Sequence, residues 1–191
     1  MRIVYAGVDF SHKNGEFCQR ISPDLYGLFY FHTPFLYESN GELRFGKAGE
    51  LLLTEPGQVV YHGPIDNGHS FINDWMYVTK DLSVLLEKYP IPCGTSVKIS
   101  RQMILHRTIV KATEEITRKE IGYEEKINCI LTEMVIDLHR AWLNYGSESS
   151  TMRIAAIHDQ VMQSPDIDRF IPGQAGPASG REREIHASSS S

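Results

Sequence analysis

His32, His62 and His69 are the residues best suited by type to hold a metal or move a proton. A metal needs donors converging to about 2.0–2.2 Å of the ion, which makes their spacing decisive. No two of these histidines are separated by a single residue, so no metal site and no cofactor are expected. His62 and His69 bracket Gly63-Pro64-Ile65-Asp66-Asn67-Gly68, a surface-turn composition. The sequence contains no Gly-x-Ser-x-Gly elbow, phosphate-binding glycine loop or Gly-x-Gly-x-x-Gly, so no catalytic residue is assigned.

Binding has more support than catalysis. Along Tyr26 to His32, alternation puts Tyr26, Leu28, Tyr30 and His32 on one face and Phe29 and Phe31 on the other. The Tyr30 and His32 face combines aromatic surface with polar tips, as a pocket for a small polar molecule requires. Parity alone does not choose which face lies inside. Arg20, one segment earlier, suits a carboxylate or a sugar hydroxyl, and equally a solvated edge. Tyr61 completes a candidate ligand-binding set of Arg20, Tyr30, His32 and Tyr61, drawn from three segments. Trp75 reads as core.

The elements that must position these residues follow a strand-and-turn rhythm through residue 79. Asn40-Gly41 between Phe35–Glu38 and Glu42–Phe45 is a hairpin signal, because both turn residues tolerate positive φ. Leu51–Thr54 ends at Pro56-Gly57, and Val59–Tyr61 resumes. Near residue 80 the period changes. A short helix over about 81–88, capped by Thr79 or Asp81, stops before Pro90 and Pro92. Leu105, Ile109, Ala112 and Ile116 give one helical stripe, and Ile127 through Trp142 give a longer one ending at Tyr145-Gly146. The two helices form an antiparallel hairpin. The second carries more apolar surface than one partner helix can cover, which places Leu131, Met134 and Leu138 at a homodimer interface.

Composition is globular, 41% hydrophobic and 23% charged, and the net charge of −5 is the wrong sign for gripping phosphates. No DNA binding by this chain alone is expected. The start MRIVYAGVDFSHKNGEF lacks signal-peptide features and no apolar run is long enough to cross a bilayer, which points to the cytosol and away from membranes. Cys18, Cys93 and Cys129, odd in number and without a C-x-x-C pair, read as free, buried thiols.

Three stretches in order resemble the amino-terminal domain of AraC-type transcriptional regulators: Phe31-His32-Thr33-Pro34 before the Asn40-Gly41 hairpin, Gly49 through Pro56-Gly57, and Asn73-Asp74-Trp75-Met76-Tyr77-Val78 leading to Tyr89-Pro90-Ile91-Pro92. With the helices that follow, the resemblance covers most of the first 163 residues. It implies an α+β fold: a cupin-like double-stranded β-barrel, or jelly roll, over 1–98 that binds a small-molecule effector, with a sugar or related metabolite favoured. A dimerisation hairpin over 99–146 and a linker helix over 150–163 follow. Such proteins continue into two helix-turn-helix motifs; here 164–191 is Pro/Gly/Ser-rich, so a disordered tail is expected and the DNA-binding domain is not. The expected function is effector sensing and dimerisation, without enzyme activity. A metal-dependent cupin enzyme and a dimerisation remnant without a ligand are the alternatives.

Overall fold

Strand β8 (Ile72–Thr79) organises the fold because its two faces are both apolar but serve different layers. Trp75 and Tyr77 pack in one core with Phe29, Phe31, Phe35 and Val60, whereas Met76 and Val78 pack in another with Leu28, Leu51, Leu105 and Leu131. In this computed structural model, which describes residues 1–13, 15–66, 70–99, 101 and 103–162, β8 lies between β1 (Ile3–Ser11) and β3 (Leu25–Phe31). The five-stranded sheet runs β1-β8-β3-β6-β9, with β6 at Glu50–Thr54 and the two-residue β9 at Val97–Lys98. Its strand pairs are antiparallel.

The second sheet has the order β2-β7-β4-β5, from Cys18–Ile21, Val59–Gly63, Phe35–Ser39 and Glu42–Gly46, again antiparallel. The β4–β5 turn uses the expected residues, with Asn40 at φ 54° and Gly41 at φ 77°. One core contains side chains of both sheets, among them Phe29 and Leu52 from the first and Phe35 and Val60 from the second. Phe31 stacks on Phe35 with centroids 3.4 Å apart. The fold class is α+β. Among the described residues the strands form two sheets rather than one closed barrel.

The opposite face of the first sheet is covered by helices. A 3-10 turn (Lys80–Leu82) leads into α1 (Ser83–Lys88), then come α2 (Ile104–Arg118) and α3 (Tyr123–Met162). Neither Thr79 nor Asp81 caps the 3-10 turn through a side chain bond to the backbone; Thr79 Oγ1 instead donates to Asp81 Oδ1. Ion pairs Lys111–Glu133 and Lys126–Glu115 tie α2 to α3 in the antiparallel sense. Met1–Ser150 forms one compact unit, so residues 1–98 and 99–146 share a core. The helical backbone of α3 continues beyond Tyr145-Gly146, where the sequence pattern predicts an end, and Thr151 opens a second unit. The tail expected over 164–191 lies outside the described residues, as does His69.

Three expectations are corrected here. Leu131, Met134 and Leu138 are at most 1% exposed and pack inside the chain against the first sheet. These three side chains are covered within one chain, in the core that α3 shares with the first sheet and α2, at about 1.5–3 kcal/mol per large side chain. His62 does not border a surface turn; β7 alternation turns it inward to 2% exposure. Cys129 is exposed and Cys18 and Cys93 are half-buried, all three as free thiols.

Candidate ligand pocket

A cavity of about 360 Å³ opens between the β1–β8 side of the first sheet and β2–β7 of the second. Phe10, Phe29, Val60 and Trp75 supply apolar wall. Gly7, opposite Trp75 on β1, makes room for the indole, since a Cβ there would lie 2.8 Å from Trp75 Nε1. The polar groups come from β2, β7, β8 and the segment after β1. His12 stacks on Phe71 with centroids 4.0 Å apart. In the tautomer protonated at Nε2 it donates to Asn73 Oδ1 at 3.1 Å, and its Nδ1 accepts from the Cys18 thiol at 3.2 Å.

Burial sets the charge state of this cluster. It pushes the Cys18 thiol up, with Glu16 adding to the rise, and lowers His12 despite the bond to Asn73. Near neutral pH the pair is therefore held as thiol and neutral imidazole rather than as thiolate and imidazolium. His62 is driven down to about 3, by burial first and by His12 second. His62 Nδ1 and Asn73 Nδ2, both in residues that line the cavity, are buried without a hydrogen-bond partner. Such atoms are costly to leave unpaired, at about 1–3 kcal/mol each.

Arg20 also lines this cavity. Its guanidinium carbon lies 4.8 Å from the Tyr5 ring centroid and 4.7 Å from that of Tyr77, so two aromatic faces hold the cation. Among the described residues no carboxylate comes within ion-pair distance of it. Of the four residues expected to bind ligand, Arg20 alone lines this pocket. Tyr61 points outward and stacks on Phe17 at 5.1 Å. Tyr30 and His32 lie on the other face of the first sheet, Tyr30 within the core beneath the helices. Among the polar pocket residues, sequence reasoning did not identify His12, Cys18, Gln19 and Asn73, and it took His62 for a turn residue. Nothing in the spacing of Ser11-His12-Lys13-Asn14-Gly15-Glu16 signals that His12 folds back onto β8.

Two antiparallel sheets with an aromatic-lined cavity between them, helices on the outer face of one, make this a two-sheet domain of the α+β class. No family model and no curated sequence matches the chain. Among solved structures, it is similar to an AraC-like transcriptional activator, CuxR, at 11% identity and a TM-score of 0.43, covering 65% of this chain and 48% of that one. It is also similar to the plu4264 protein of Photorhabdus luminescens at 18% identity and a TM-score of 0.32, covering 41% of this chain and 65% of that one. A third is the Cnp3 cupin domain of Schizosaccharomyces pombe, at 10% identity and a TM-score of 0.31, covering 48% and 77%. The chain thus spans about half the length of the AraC-like activator and under two thirds of the Photorhabdus protein. Among the described residues no helix is long and apolar enough to cross a membrane.

Proposed function

We propose that this chain is an effector-binding domain whose inter-sheet pocket takes a small metabolite carrying a carboxylate, with sugar acids foremost, in the manner of the sensing domain of AraC-type regulators that its sequence resembles. The observation that carries this reading is Arg20, held between Tyr5 and Tyr77 at the pocket without a carboxylate partner among the described residues. A guanidinium so fixed pairs with a carboxylate in forked geometry without having to be ordered first. The aromatic wall suits the apolar face of a sugar ring, and His62 Nδ1 and Asn73 Nδ2 supply hydrogen-bonding capacity for its hydroxyls. Burial holds Cys18 and His12 as thiol and neutral imidazole rather than as an ion pair, which favours binding over turnover.

The test is thermal unfolding of the chain with gluconate, glucuronate, benzoate and glucose. A carboxylate at a hundred times its dissociation constant adds about 2.7 kcal/mol. The expected result is a raised Tm with the acids, little effect of glucose, and loss of the shift in Arg20→Gln. An equal shift with glucose, or one that survives Arg20→Gln, overturns the carboxylate assignment.

A further inference from the structure

Behind the pocket, on the helix-facing side of the first sheet, four donor side chains meet from four separate segments. Asp9 comes from a bulge in β1, where the register with β8 slips between Gly7 and Phe10 and Asp9 takes φ 47°. That left-handed turn points its backbone N–H at Asp74 Oδ1, 2.7 Å away. His32 follows the end of β3, fixed by its backbone N–H donating to Ile72 O at 2.9 Å. Asp74 comes from β8 and His106 from the first turn of α2.

The donor atoms of Asp9, His32 and Asp74 all lie within 4.8 Å of one another; His106 stands outside that group and approaches it through Asp74 and Asp9. Asp74 Oδ2 is 3.0 Å from His32 Nε2 and 3.4 Å from His106 Nδ1, while the Asp9 oxygens stand 3.7 and 3.9 Å from the same two nitrogens. Yet His32 Nε2, Asp74 Oδ2 and His106 Nδ1 are shut off from solvent and none makes a properly directed hydrogen bond. Asp74 is fully buried, a costly position for a carboxylate oxygen that accepts no hydrogen bond. Close approach without hydrogen-bond alignment is what donors show when they face a shared point rather than each other. Donors each about 2.1 Å from one ion stand about 3.0 Å apart at a right angle and about 3.4 Å apart at the tetrahedral angle. The two distances from Asp74 Oδ2 match these edges.

We propose that Asp9, His32, Asp74 and His106 form a binding site for a divalent first-row transition metal, Zn²⁺ or a similar ion, in the seam between the first sheet and α2. Two imidazoles and a buried carboxylate suit such ions rather than Mg²⁺ or Ca²⁺, which prefer all-oxygen surroundings. Asp9, 68% exposed, closes the solvent side. The metal neutralises the Asp74 and Asp9 pair and fastens α2 to three adjacent strands. The site is separate from the His12, Cys18 and His62 group in the pocket, which lies across the sheet. The expectation of no metal came from spacing along the chain, and these ligands share no segment.

The test is Zn²⁺ titration of the untagged chain after dialysis against EDTA, read by metal content after desalting and by Tm. One equivalent should be retained, with a raised Tm. Asp74→Asn should abolish retention and His106→Gln should weaken it at least tenfold, while Cys18→Ser, which removes a pocket donor, keeps wild-type stoichiometry. Should buried Asp74→Asn fail to fold, His106→Gln and the exposed Asp9→Asn decide alone. With Co²⁺, visible d–d bands should appear without a thiolate charge-transfer band. Absence of retained Zn²⁺, loss on Cys18→Ser but not on His106→Gln, or a thiolate band with Co²⁺ would overturn the assignment.

Discussion

Asn73 and Asp74 are consecutive on β8, both fully buried, and face opposite sides of the same sheet. Asn73 Oδ1 accepts from His12 in the pocket, while Asp74 Oδ1 accepts from the Asp9 backbone on the helix side. The period of two along a strand makes such a pair inevitable once both faces are covered. Burying two adjacent polar side chains is unusual, since each needs partners that an apolar layer does not supply. Here each lies at one of the two polar clusters, so one strand carries both candidate sites.

Because the two side chains share a strand but no partner, their effects should separate. Asn73→Ala removes the acceptor that orients His12 and should weaken gluconate binding roughly fivefold to tenfold, the effect of about 1 kcal/mol of hydrogen bonding. Zn²⁺ affinity should stay within about twofold. Asp74→Asn should do the reverse. Calorimetric titration of both variants with both probes checks this; equal losses on both sides would mean the strand, rather than its faces, is being disturbed.

The acid limb of the stability curve should belong largely to His62. Its folded-state pKa, about 3, lies below the ordinary 6.5, so between these values the unfolded chain binds a proton that the folded chain refuses. Stability is full above about pH 6.5 and falls as pH drops toward 3. The ceiling is on the order of 5 kcal/mol, at about 1.4 kcal/mol per unit. His62→Gln should flatten this slope, measured by urea unfolding at pH 4, 5 and 7. An unchanged slope would assign the acid sensitivity elsewhere.

Leu131 should behave as a core residue. With 0% exposure against the sheet, Leu131→Ala should cost about 2–5 kcal/mol in urea unfolding. Leu143, on the same helix but 50% exposed, should cost about 0.5 kcal/mol or less on the same change. The measured loss for Leu131→Ala should be independent of protein concentration. A concentration-dependent loss would instead place the side chain between two copies.

The order of the strands was legible in local chemistry: Asn40-Gly41 and Pro56-Gly57 mark turns wherever they occur, and alternation along Tyr26–His32 correctly separated Phe29 and Phe31 from Leu28 and Tyr30. The choice of face was not legible. β3 and β8 are apolar on both sides because a second sheet covers one and helices the other, so hydrophobicity carries no sign. That ambiguity put Tyr30 and His32 in a pocket with Arg20, when a sheet separates them. It also sent the apolar stripe of α3 to a second copy. Asp9, His12 and His106 were invisible for a different reason: each belongs to its site only through contacts distant in sequence, which short-range spacing does not encode.

The rings around Arg20 supply the last test. A free arginine loses about 0.5–1.5 kcal/mol of side-chain freedom when a ligand immobilises it, and rings already in place reduce that cost. Tyr5, 49% exposed, is the outer of the two and contributes little to the core, so its ring can be removed without unfolding the sheet. Tyr5→Leu should therefore leave Tm nearly unchanged and weaken gluconate binding about twofold to fivefold, the effect of about 0.5–1 kcal/mol of cation–π contact. Tyr5→Phe keeps the aromatic face and should bind as the parent does. Calorimetric titration with gluconate distinguishes the outcomes: equal weakening in the leucine and phenylalanine variants would assign the effect to the Tyr5 hydroxyl, and no weakening in either would show that Tyr77 alone holds the guanidinium.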